Sequence, residues 1–105
     1  MHRHFEADLT ALKEKLLMMG SLVEQSLHQS ITALVDHDAS KGLGVFDGED
    51  AINRLQIEID DRAIRLLALQ QPLAADLRLI AAAVKINNDL ERIGDLCVNI
   101  AQRVL

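Results

Sequence analysis

Aromatic residues are almost missing from this chain: Phe5 and Phe46 stand alone, with no tryptophan or tyrosine among 105 residues. The apolar half of the composition is therefore carried mainly by Leu, Ile and Ala, a mixture that favours helices over sheets. Proline occurs once, at Pro72, and glycine five times, so little interrupts a long helix. A single cysteine excludes an internal disulfide and makes a cytoplasmic chain the simpler expectation. Positive charge is also short: 11 basic against 16 acidic residues give a net charge of −5. No Lys/Arg stripe is present, which argues against a binder of nucleic acid. No apolar run approaches the roughly 18 residues of a membrane span. Glu6 and Asp8 fall where a signal peptide would have its apolar core. Any membrane contact is expected to be peripheral. There is no glycine-rich phosphate loop, Cys-x-x-Cys, Gly-x-Ser-x-Gly, His-Glu-x-x-His or Glu-x-x-His. Catalysis therefore has no positive support.

What is present is helical periodicity. Phe5, Leu9, Leu12, Leu16, Met19 and Val23 are spaced 4-3-4-3-4, and Leu27, Ile31 and Leu34 continue the stripe with a slight drift. A rod of that length needs neighbours to cover its apolar face. Met18, Met19 and Gly20 suggest a close-packed, adaptable contact. Asp36 to Ser40 reads as a short turn, with Asp38 or Ser40 as the next helix cap. Gly42, Gly44 and Gly48 each weaken a helix by about 1 kcal/mol. Propensity alone thus starts the second helix near Gly48, whereas Val45, Phe46 and Ile52 fit an earlier start. Ile52, Leu55, Ile59, Ala63 and Leu66 form its buried face, and Glu58–Arg62 and Asp61–Arg65 are ion pairs on its solvated side. Gln71 precedes Pro72, so this helix should stop there. Pro72 is expected at the start of a third helix, where three alanines before Val84 permit a close neighbour.

The third helix carries two stripes. Ala83, Ile86, Leu90, Ile93, Cys97, Ile100 and Val104 read as its seam. The other stripe begins apolar at Leu73, Leu77, Ile80 and Val84, turns polar at Asn88, Glu91 and Asp95, and is apolar again at Val98. Two carboxylates one turn apart repel. On bare sequence they are met by a solvated surface, by an arginine such as Arg78 or Arg92, or by a metal ion. In antiparallel hairpins, Glu91 and Asp95 lie level with Asp47, Glu49 and Asp50 on the second helix and with Glu24 and His28 on the first. Carboxylates suit hard or borderline cations, and an added imidazole would admit iron, nickel or zinc. Cys97 reads as a core thiol, His28 as a surface histidine, and Ser26 and Ser30 as small residues at a helix contact.

MGSLVEQSLHQSI, DAINRLQIEIDD, QPLAADLRLI and NNDLERIGDLCVNIAQ resemble in turn the three helices of the PhoU family, the phosphate-uptake regulators of bacteria. The resemblance implies a second helix beginning near Ser40. With that start, three long helices joined by short turns must pack antiparallel, an all-α, antiparallel three-helix bundle with helices at about 4–37, 40–70 and 72–105, forming a single domain over residues 1–105. Family proteins carry two such repeats in tandem, so this chain looks like a single-repeat form or a first-repeat fragment. The resemblance also implies metal at an E(D)-x-x-x-D motif, here Glu91 to Asp95, as divalent or iron-type ions. Asn88, Asp50 and Glu24 are weaker candidate ligands from the level argument. A homodimer would replace the second repeat. The implied role is a cytoplasmic accessory protein, not an enzyme, linking the phosphate ABC transporter to the phosphate-sensing histidine kinase. The alternatives are a structural helical oligomerisation module without metal and a metalloenzyme of bundle type.

Overall fold

The structure, a computed structural model, describes residues 2–70 and 72–105. Three helices follow one another: α1 (His2–Asp36), α2 (Ala39–Gln70) and α3 (Ala74–Val104). They make a rod of 53 × 18 × 15 Å. Gln56 meets Asn87 and Ile52 meets Gly94, so α3 runs antiparallel to α2. Lys15 reaches Glu58 on the other hairpin at 3.4 Å. The Glu58–Arg62 and Asp61–Arg65 pairs form as their spacing suggests, each at 3.2 Å. No helix of the described residues is long and apolar enough to cross a membrane.

Both helix starts depart from local reading. α2 is continuous from Ala39, so the propensity expectation of a start near Gly48 is corrected. The reason is tertiary. A Cβ on Gly42 would touch the Ala101 carbonyl oxygen at 3.6 Å, and one on Gly48 the Ser26 Oγ at 3.4 Å. Both distances are ordinary van der Waals contact, and Val45 is buried with Cys97 and Ala101, so packing overrides propensity. α3 starts at Ala74, not at Pro72. Leu73 is extended (φ −66°, ψ 163°) and its carbonyl accepts from the Leu77 N–H at 2.8 Å. Pro72 therefore leads into the cap and is not helical. Gln71, the expected end of α2, lies outside the described residues.

The turn between α1 and α2 is built by two residues. His37 adopts φ 54°, the left-handed conformation, and the Asp38 N–H donates to the Ala33 carbonyl at 3.0 Å, a closure common at helix ends. Asp38 then caps α2. Its Oδ1 accepts from the Ser40 N–H at 3.0 Å, the Ser40 hydroxyl at 2.6 Å and the Lys41 N–H at 3.4 Å. The Ser40 hydroxyl, followed by the Lys41 N–H, holds this carboxyl below its usual range.

The core divides in two. A large cluster joins Leu12, Met19, Ile59, Leu66 and Ile80, and a smaller one joins Val45, Cys97 and Ala101. Between them lies a waist of small side chains, Ser26, Gly48 and Gly94, one from each helix. The buried line of α3 is Ile80, Ala83, Asn87, Gly94, Cys97 and Ala101. It runs between the two stripes seen in the sequence, so the expected seam holds at Ala83 and Cys97 and is corrected at Ile86 and Ile93, which are 45% and 36% exposed. Asn87 replaces them inside, donating from Nδ2 to the Gln56 carbonyl at 3.0 Å and to Asp60 Oδ1 at 3.3 Å. The expected close contact at Met18–Gly20 is also corrected. Only Met19 is buried, and Gly20 faces open space. Among the three alanines, Ala83 alone packs inward.

Three outcomes follow. His37→Gly removes a left-handed side chain and raises stability by up to about 1 kcal/mol, read as the urea midpoint. Asp38→Ala lowers the midpoint at pH 7. Because the folded carboxyl titrates below its ordinary value, its contribution is present above that value and disappears as pH falls through the lowered one. The gap between Asp38→Ala and wild type should therefore close in strong acid. Gly94→Val forces two methyls against Ile52, already 3.6 Å from a bare Cβ, and costs about 1–3 kcal/mol in thermal unfolding.

Candidate functional site

The waist leaves a recess on the flank where α3 faces α2. Glu91 and Asp95 line it from α3, Glu49 and Asn53 from α2, and Ser26 from α1, with Ile52, Gly94 and Val98 as apolar lining. Its volume of about 10 Å³ holds one water-sized sphere. Glu49 and Glu91 are half-buried, whereas Asp95 and Asn53 are exposed. Periodicity explains the arrangement. Glu91 and Asp95 are one turn apart, as are Glu49 and Asn53, and two such pairs on antiparallel helices form the walls of one groove.

The structure thus brings Glu91 and Asp95 together and adds Glu49, which the level argument had placed nearby. Asn53 is a site residue that the sequence reading missed. Its signal was present: a polar side chain one turn after Glu49, beside the Ile52 face. The remaining candidates fall elsewhere. Asn88 is exposed and does not line the recess. Asp50 is exposed, with its backbone carbonyl accepting from Arg54 Nε at 3.4 Å. Glu24 lines a wider groove on the opposite flank of α3. His28 is exposed beside Gln29, Thr32 and Lys41, so no imidazole joins the carboxylates. Asp50, next to Glu49 in sequence, points about 100° around α2 from it, and Glu24 lies on the other flank, because sequence level fixes height along the bundle, not direction around each helix.

Among the described residues no arginine or lysine lies within ion-pair distance of Glu91 or Asp95, so Arg78 and Arg92 do not supply the balancing charge. The polar lining is three carboxylates, the Asn53 amide and the Ser26 hydroxyl, whose oxygens are of the kind that oxygen-preferring cations take. Among the described residues no three acidic, histidine or cysteine side chains converge tightly enough to enclose an ion. The recess thus presents carboxylate oxygens along an open face without, among the described residues, a group of three that could hold a metal ion by themselves. Cys97 is buried, its thiol pushed up by desolvation despite the Ser30 hydroxyl beside it, and plays no part in this site.

The comparisons agree with one another. A family model described as the PhoU domain matches residues 16–104. The phosphate-specific transport system accessory protein PhoU of Serratia marcescens is 39% identical over 101 residues, covering 96% of this chain and 42% of that protein. A PhoU homolog of Clostridium acetobutylicum is 43% identical over 101 residues, covering 95% of this chain and 46% of that protein. The crystal structure of PhoU from Pseudomonas aeruginosa superposes with a TM-score of 0.93 at 41% identity, over 95% of this chain and 48% of that one. The chain spans less than half the length of these relatives. A three-helix rod of matching shape, with a family model covering most of it, settles one question: the chain belongs to the PhoU family.

Proposed function

We propose that this chain regulates phosphate uptake and phosphate-starvation signalling. It acts in the cytoplasm by binding the phosphate ABC transporter and the phosphate-sensing histidine kinase, and it works by contact, not catalysis. Residues 1–105 serve as a single PhoU-like domain, paired as a homodimer. The observation that carries this reading is the match over residues 16–104 to a family whose curated relatives are named as accessory proteins of phosphate-specific transport. Deleting the gene in its own host should switch on an alkaline phosphatase reporter of starvation in phosphate-replete medium. A reporter that stays silent sinks the proposal.

Glu91 and Asp95 hold a divalent or iron-type cation at the recess, with Glu49 and Asn53 beside them. Such an ion would supply fixed positive charge between two carboxylates that otherwise repel, and a point to which an anionic group can attach. Half-burial of Glu91 supports this over a purely solvated edge. Protein purified without added metal should contain stoichiometric metal by elemental analysis, and a Glu91→Ala/Asp95→Ala variant should lose it while keeping its helical circular dichroism. Metal content that is nil in wild type, or unchanged in the variant, removes the site. A structural oligomerisation module without metal is the second reading, favoured by the exposed apolar side chains on α1 and α3.

A further inference from the structure

We infer that Asn87 sets the rotation of α3, and so decides that Glu91 and Asp95 face α2 instead of the solvent. The inference rests on the proposed cation site only for what the two carboxylates do once they are there. α3 does not bury its most apolar face. Leu79, Ile86 and Ile93 share one flank and remain 37%, 45% and 36% exposed. The inner line instead includes Asn87, which carries an amide, and Gly94, which carries no side chain. At 100° per residue, Ile86 and Ile93 lie about 100° and 120° to one side of Asn87. Glu91 and Asp95 lie about 40° and 80° to the other side. A turn of α3 that covers the isoleucines therefore carries both carboxylates away from α2. Ala83 and Cys97 lie between the two faces and suit either setting.

One polar contact holds the observed setting. Asn87 is wholly buried, and its Nδ2 donates to the Gln56 carbonyl at 3.0 Å and to Asp60 Oδ1 at 3.3 Å. Both partners are acceptors, so the amide fits only with its nitrogen toward α2. Its Oδ1 then lies buried with no hydrogen-bond partner among the described residues. A buried acceptor without a donor lowers stability, and a leucine of similar shape carries no such penalty. Asn87 thus weakens the folded state while excluding a more apolar alternative. A single buried asparagine does the same in coiled coils, where it selects one packing over others. Glu91 follows Asn87 by one turn, so the contact that directs the amide also directs the carboxylates. Asn87 does not line the recess; it is a positioning residue.

The test reads the gap between α2 and α3 with nitroxides at Ile57→Cys and Asn88→Cys, both exposed and each next to the Gln56–Asn87 contact. The chain carries Cys97→Ser and is mixed with excess unlabelled protein, so that only pairs within one chain are seen. Pulsed dipolar spectroscopy should give a single distance. Asn87→Leu should add a second distance, longer by about 5 Å, the reach of a side chain from its helix axis, while its urea midpoint is no lower. Asn87→Asp keeps the shape without the N–H donor and should add the same distance at pH 7. Ile86→Gln and Ile93→Gln together, placed in Asn87→Leu, should restore the single short distance, because the competing face is gone. The inference is overturned by one unchanged distance in both Asn87 variants, or by a long distance that persists in the triple variant. An Asn87→Leu chain that unfolds at lower urea also overturns it, since Asn87 is then an ordinary core contact. Wild type that contains no metal, with the distances behaving as described, would sink the cation reading alone.

Discussion

Mutual burial of one narrow stripe per helix is the constraint on which this molecule rests. Each helix exceeds thirty residues, and none can cover its own apolar face. Met19 from α1, Ile59 from α2 and Ile80 from α3 are all wholly buried, one from each element. Local chemistry yields to this packing where the two conflict. The glycines near the start of α2 are poor helix formers in isolation, yet they sit in helix because Val45 among them is buried with Cys97 and Ala101.

The same close approach shapes the surface. Where Ser26 and Gly94 line the gap between the helices, there is little side chain to fill the bundle out, and a recess opens toward α2. Glu91 and Asp95 flank Gly94 in sequence, so the residue that permits helix contact also spaces the two carboxylates. α3 therefore has two flanks of different chemistry. One faces α2 with acids and amides. The other faces α1 with Ile86 and Leu90, and continues into the protruding Leu17.

Much of the architecture was legible because 3-4 spacing of leucine and isoleucine survives any detail of packing. Helices expected at about 4–37, 40–70 and 72–105 lie at 2–36, 39–70 and 74–104. The start of α2 was ambiguous locally, since Gly42, Gly44 and Gly48 pointed to a late start and Val45, Phe46 and Ile52 to an early one, and the family resemblance decided it. The rotational setting of α3 was not readable. Large apolar residues were weighted as the seam, but the helix turns so that Asn87 and Gly94 face inward. Asn87 does so because its amide satisfies Gln56 and Asp60 across the contact. In the site, Glu91 and Asp95 stood out as acids inside an apolar stripe. Asn53 did not, because a polar residue on a mostly solvated helix face carries no such contrast. Glu24 was placed at the right height and the wrong side, as height follows from counting and azimuth does not.

The two core clusters differ greatly in bulk, and this makes the rod mechanically uneven. The end built around Leu12, Ile59 and Ile80 holds many large aliphatic side chains. The end built around Val45, Cys97 and Ala101 holds few. Cooperative units with less buried apolar surface open more readily. The lighter end, with the His37 turn, therefore has less buried apolar surface to resist local opening than the heavier end. The acidic recess lies where the heavier packing gives way to the lighter, so its two walls belong to segments of unequal local stability.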